Sequence, residues 1–166
     1  MILKKILSLP RYAFKNKYLR AYLCKNIMMT ILILLWFFVQ TLTSNVVKVQ
    51  DGDTIELKMV FKDPMAKSRA GKNLRIRLAH VDCPEKGQAF FKNAKQFTIN
   101  ACVGKTVKII HSYEFDRYGR LIGEVVLPNG KILNEELVKN GLAIHFKKYS
   151  SSYNYAKLEI DARVKK

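Results

Sequence analysis

Val46-Val-Lys-Val-Gln-Asp-Gly-Asp-Thr-Ile-Glu-Leu-Lys-Met-Val-Phe61 is the stretch that decides the fold. Val46–Gln50 is a short apolar run, stopped by Asp51-Gly52. That dipeptide favours a turn, because glycine reaches backbone angles other residues resist and aspartate bonds its own backbone. Thr54–Phe61 then alternates apolar and polar side chains, the period of a half-buried strand. Two strands meeting at Asp51-Gly52 predict a hairpin.

Working outward, Lys62–Asn73 is a polar connection containing Pro64 and Gly71. Leu74-Arg-Ile-Arg-Leu-Ala-His-Val81 alternates again and predicts a third strand, halted where Cys83 meets Pro84. In Gln88–Cys102, Phe90, Phe91, Ala94, Phe97, Thr98 and Ala101 recur at three- and four-residue spacing, which predicts an amphipathic helix ended by Gly104. Lys105–Tyr113 and Arg120–Leu127 read as two more strands. Asn134–Gly141 reads as a short helix with an asparagine cap, an acidic first turn and a glycine stop. A final, more polar helix is expected within Tyr153–Val164. The fold class is therefore α+β, mainly β: a small closed barrel of five strands, of the OB type, with about three helices. A generic α+β sandwich is the rival.

The chain has 166 residues and a formal charge of +17. Residues 1–44 carry seven Lys/Arg and no acid, so residues 45–166 keep 23 basic against 13 acidic side chains, a net +10. A domain this basic favours polyanions, nucleic acid first. Cys24, Cys83 and Cys102 lack metal-binding spacing, which argues against zinc. Cys83 and Cys102 either pair, if the domain is exported, or sit apart as small buried residues.

The leader divides in two. Lys4, Lys5, Arg11, Lys15, Lys17, Arg20 and Lys25 make its first part basic, and Ile27–Val39 is thirteen residues with only Thr30 polar. As a helix that run reaches roughly 20 Å, short of the ~30 Å hydrocarbon core, which suits a signal peptide with Thr41–Ser44 as cleavage region. A retained anchor over Tyr22–Thr43 is the alternative. In both readings the positive charges stay cytoplasmic and the rest is exported, outward-facing on the membrane (periplasmic in a two-membrane cell), or secreted if cleaved. The domains expected are thus 1–44, a basic region with a hydrophobic leader helix, and 45–166, the folded domain.

Chemistry concentrates where strands end. Asp51 and Asp53 flank the hairpin glycine, and Asp82 and Glu85 end the third strand. Converging carboxylates suit Ca²⁺ or Mg²⁺ and leave one free as a base. Arg77 and Arg120 offer guanidinium forks to a phosphate. Arg77 and Asp82 are five residues apart, so an ideal strand would point them to opposite faces and the chain must bend between them. His80, His111 and His145 have no partner at ligand spacing and are expected in structural roles. Tyr149 and Tyr113 are candidates to stack on bases.

Val49-Gln-Asp-Gly-Asp-Thr-Ile55, Arg77-Leu-Ala-His-Val-Asp-Cys-Pro-Glu85, Asp116-Arg-Tyr-Gly-Arg120 and Asn134–Ala143 together resemble the successive signatures of the thermonuclease (staphylococcal nuclease) family. The resemblance runs from Val46 to Tyr149. It implies a calcium-dependent phosphodiesterase on a five-stranded OB barrel, acting on single- and double-stranded DNA and on RNA. It makes Asp53 and Asp82 the carboxylate ligands of Ca²⁺, with the backbone carbonyl of Cys83, where the family usually has threonine. Glu85 becomes the general base, Arg77 and Arg120 the phosphate grip, Tyr118 a contact to a terminal phosphate, Tyr149 a substrate contact and Asp51 a supporting carboxylate. Lys86–Phe91 is shorter than the substrate loop of the best-known member. A monomer is expected, held to the membrane by its N-terminal segment if that is kept. A noncatalytic OB-type nucleic-acid-binding module, membrane-tethered, is the competing function.

Overall fold

The structure of the chain is a computed structural model that describes Asn26, residues 40–58 and residues 73–165. The basic leader, its apolar run, and the expected continuation of the second strand through Met59–Phe61 lie outside the described residues, as does most of the connection at 62–73.

The hairpin forms as its sequence dictates. Strand β1 (Gln40–Asp51) and strand β2 (Thr54–Leu57) run antiparallel with Asp51 opposite Thr54, leaving Gly52 and Asp53 as the tip. Val46, Val49, Ile55 and Leu57 face the core. Two irregularities in register, at Val46/Lys48 and Val49/Asp51, add twist to β1. The strand therefore serves two partners in turn. Its second half pairs with β2, and Gln40–Asn45 pairs with β5 (Thr106–Phe115).

β1 thus begins at Gln40, ahead of the expected start at Val46. Thr41-Leu-Thr-Ser44, read as a cleavage region, is barrel strand. Small polar residues near a processing site and β-branched residues alternating with apolar ones are the same letters, and here they pair with β5.

β3 (Leu74–Leu78) pairs antiparallel with β2 and parallel with β6 (Leu121–Val126), and β6 pairs antiparallel with β5. The order β1-β2-β3-β6-β5 closes into a barrel. Ile55, Leu57, Leu74, Ile76, Leu78, Ile109 and Leu121 fill it and are fully buried. Each such side chain contributes about 1.5–3 kcal/mol by leaving water. The third strand is shorter than Leu74–Val81. It stops at Leu78, the chain turns at Ala79-His80, and Val81-Asp82 forms a separate short strand, β4, paired with β7 (Ile144–His145).

Helix α1 spans Phe91–Cys102, three residues shorter at its start than the periodicity suggests. Gln88 folds back instead: its side-chain oxygen accepts the Glu85 N–H at 2.7 Å and its own N–H donates to the Glu85 carbonyl. Ala94, Thr98 and Cys102 are the buried stripe of α1, whereas Phe90 is exposed. α2 (Leu133–Lys139) keeps its acidic first turn, Glu135 and Glu136, but Asn134 is not its cap. Asn134 is buried, accepts the Val125 N–H at 3.0 Å and donates to the carbonyls of Ala79 and Gly123. α3 (Tyr153–Val164) lies where the sequence places it. Cys83 and Cys102 are both buried and free, so no disulfide forms between them.

Candidate active site

The hairpin tip is pressed against α1. A Cβ on Gly52 would lie 2.8 Å from the Cys83 sulfur and 2.9 Å from the Ala94 Cβ, so only glycine fits. The Thr98 hydroxyl donates to the Gly52 carbonyl at 2.7 Å. Asp53 is thereby held facing the β3–β4 turn, where the Cys83 N–H donates to its Oδ2 at 2.9 Å.

Arg77 stands between the acidic groups. Its guanidinium lies 3.1 Å from Asp53 Oδ2 and 2.7 Å from Asp82 Oδ1. It also donates to the carbonyls of Leu78 and Val81, bracing the turn from inside. The bend that Arg77 and Asp82 require is made by His80, whose φ is +66°. That left-handed residue resets the alternation and brings two side chains five apart to one face.

A second arginine reaches the same place from the turn just ahead of β6. Arg120 donates through Nε to Asp116 at 2.6 Å and through Nη1 to the Thr54 hydroxyl at 2.9 Å. Thr54 in turn donates to Asp53 Oδ1 at 3.2 Å. Asp116 also accepts the backbone N–H groups of Tyr118 and Arg120, which folds Asp116–Arg120 into a tight loop. Burial works to raise the Asp116 pKa, but these donors and the Arg120 charge outweigh it and hold the carboxyl below its ordinary value.

Asp53 goes the other way. Burial pushes its pKa from 3.8 up to about 6, against the opposing pull of Arg77 and the Cys83 N–H, and neighbouring Asp51 adds to the rise. The Asp51 Oδ1 is buried with no hydrogen-bond partner among the described residues. A buried carboxylate oxygen without a donor and a second carboxyl raised by burial form a pair of acidic groups that a cation would suit. The donor set is all oxygen, which fits Ca²⁺ or Mg²⁺. Among the described residues no three His, Cys, Asp or Glu side chains gather closely enough to hold an ion by themselves. A hard cation held there would need backbone carbonyl and water oxygens to complete its set.

The profile of the family described as staphylococcal nuclease homologue matches residues 75–166. The chain belongs to that family. A protein of Escherichia coli O157:H7 named "Uncharacterized endonuclease" is 34% identical over 121 residues, 73% of this chain and 72% of that one. A staphylococcal-like nuclease of Arabidopsis thaliana is 29% identical over 176 residues, covering 78% of this chain and 54% of its own length. A 38.1 kDa protein of Capnoides sempervirens is 38% identical over 104 residues, 63% of this chain and 30% of its own.

In this staphylococcal nuclease homologue, then, Asp53, Arg77, Asp82, Thr54 and Arg120 form one connected cluster, with the Cys83 peptide bound to Asp53. Glu85 lies three residues beyond Asp82 on the exposed segment. Tyr118 is exposed, with Arg117 and Arg120 guanidinium groups 4.8 and 5.4 Å from its ring. Tyr149 is also exposed and packs edge-on against Phe146 at 5.0 Å, while Arg77 lies 6.0 Å from the Phe146 ring. Tyr113 sits at the β5 irregularity, against His111. Sequence reasoning gave no role to Phe146 or to the Asp116 carboxylate. Asp116 had a signal, an aspartate two residues before a Tyr-Gly turn; Phe146 had none.

Proposed function

We propose that this member of a nuclease family is an exported, Ca²⁺-dependent, sugar-nonspecific nuclease that hydrolyses phosphodiester bonds of DNA and RNA. One observation carries the reading: Arg77 bridges Asp53 and Asp82 while Arg120 reaches the same cluster through Thr54. Acidic ligands and two guanidinium forks at one end of a basic barrel match the charge pattern of a phosphodiester in its transition state.

Asp53, Asp82 and the carbonyl of Cys83 would hold Ca²⁺, which when bound supplies positive charge to the phosphate and polarises it. Arg77 and Arg120 neutralise the non-bridging oxygens as negative charge grows there. Glu85 accepts a proton from water; the water oxygen forms its bond to phosphorus and the P–O bond to the leaving sugar breaks. General bases of this kind contribute about 10²–10⁴-fold. Tyr118 meets a terminal phosphate and Tyr149 stacks on a base. The lysine excess supplies affinity that is independent of sequence and weakened by salt.

Export would leave the leader attached. Cleavage after Ser44 would take away five of the six β1–β5 pairs, Gln40 to Ser44, and leave only Asn45 opposite Thr106. A retained leader would tether the protein facing outward.

Full-length protein incubated with single-stranded DNA is expected to cleave with Ca²⁺ and not with chelator, and Glu85→Gln to remove nearly all cleavage. Undiminished cleavage by that variant would sink the assigned base; binding without cleavage would favour a noncatalytic module. An N-terminal residue between 42 and 46 on protein recovered from its own cells would refute the retained leader.

A further inference from the structure

The Ala79-His80 turn sits between the phosphate-gripping Arg77 and the ligand Asp82, and it is tied from outside the barrel. The His80 ring lies 2.9 Å through Nδ1 from the Ser150 hydroxyl, and His145 approaches the same hydroxyl through Nε2 at 2.9 Å. The Ser152 N–H donates to it as well, at 3.3 Å. A serine hydroxyl has one proton to give, so one imidazole must donate and the other accept. The His145 Nδ1 is buried without a partner among the described residues. The hydroxyl thus links the two rings whichever of them donates.

The tie continues on both sides. The His80 ring stacks on Tyr155 of α3, with centroids 4.9 Å apart, and the Tyr155 hydroxyl donates to Glu124 of β6. The His80 carbonyl accepts the Phe146 N–H at 2.8 Å, and Val81 and Asp82 pair with His145 and Ile144. A histidine at φ +66° is strained, and such strain persists only where surrounding contacts impose it.

We propose that His80 and Ser150 are positioning residues for the nuclease site: through the His80–Ser150–His145 link, the segment after β7 and helix α3 fix the left-handed turn that brings Asp82 onto the face of Arg77. The inference rests on the nuclease reading above. Neither residue touches substrate or metal; both act through the place of Asp82.

Ser150→Ala cuts the link without altering residues 77–85, and His80→Gly keeps the turn but removes the ring. In the full chain both are expected to lower kcat roughly tenfold or more, the scale of small misplacements, with KM for DNA unchanged within about twofold. Ca²⁺ affinity measured by calorimetry without DNA should fall in the same variants. His80→Asn, which tolerates the left-handed angle and carries an amide toward Ser150, should recover most of the loss. Amide hydrogen exchange at Val81, Asp82 and Phe146 reads the turn with neither metal nor DNA present. Faster exchange there in Ser150→Ala, with β5 unchanged, supports the proposal. Unchanged exchange, or activity lost only in proportion to lost thermal stability, overturns it. A wild-type chain that cleaves nothing would refute the nuclease reading alone, since the exchange experiment still decides the link.

Discussion

Arg120 donates to the Thr54 hydroxyl at 2.9 Å, and that hydroxyl donates onward to Asp53 at 3.2 Å. One fully buried threonine therefore connects Arg120, just ahead of β6, to the carboxylate at the hairpin tip. Thr54→Val keeps the shape and the strand preference but removes the connection. It is expected to lower kcat about ten- to a hundredfold by freeing Arg120, while stability falls by about 1–3 kcal/mol for the unpaired groups. Steady-state kinetics with thermal melts checks both numbers, and wild-type kcat would show that Arg120 needs no such anchor.

The pH dependence of the metal-free fold follows from Asp53. Its folded pKa is raised from 3.8 to about 6 by burial, so folding favours the protonated form. The stability this group contributes is complete below pH 3.8 and lost as the pH rises through about 6. In chelator, the wild type is therefore expected to lose stability relative to Asp53→Asn over that interval. Added Ca²⁺ should restore the wild type and leave the variant unchanged. Melting curves of the two proteins decide it; a difference flat with pH would mean that Arg77 offsets the burial in full.

Gly52→Ala tests the closeness of the hairpin tip to α1. The added methyl would lie 2.8 Å from the Cys83 sulfur and 2.9 Å from two carbons, with nowhere to move. Overpacking of this kind costs about 1–3 kcal/mol. A drop in urea midpoint at constant slope is the expected result, and an unchanged midpoint would show that the tip can back away from the helix.

Asn134→Leu tests whether this buried amide holds α2 to the barrel. It would strand the Val125 N–H and the Ala79 carbonyl, two groups that Asn134 satisfies at 3.0 and 2.9 Å. The loss is expected on the order of 3 kcal/mol, the sum of two buried unpaired groups. Urea unfolding measures it, and near-wild-type stability would mean water enters in its place.

The hairpin, most of the strands and the last helix could be read from alternation and turn residues because those are local signals. So could the acidic and arginine positions, whose residue types declare their chemistry. What escaped is what depends on distant partners. Asn134 looked like a helix cap because asparagine before acidic residues is one, yet its amide is spent on Val125 and Ala79. That Thr41–Ser44 is strand escaped because its pairing partners, from Val107 to Ile110, lie more than sixty residues away. The requirement for a bend between Arg77 and Asp82 was visible as a parity conflict; that His80 makes it was not, since no glycine or asparagine between them marks the place.

The double service of β1 has a kinetic consequence. Gln40–Asn45 must find Thr106–His111 across sequence separations of 61 residues (45 to 106) to 71 residues (40 to 111). The β1–β2 hairpin can form as soon as Leu57 is available, but the cylinder stays open until β5 exists. Loop-closure entropy makes that last seam the slow event, in the millisecond-to-second range of folds rich in distant contacts. A chain made from its N-terminus keeps the seam unsealed, and acquires its enzyme only when the middle of the sequence has followed.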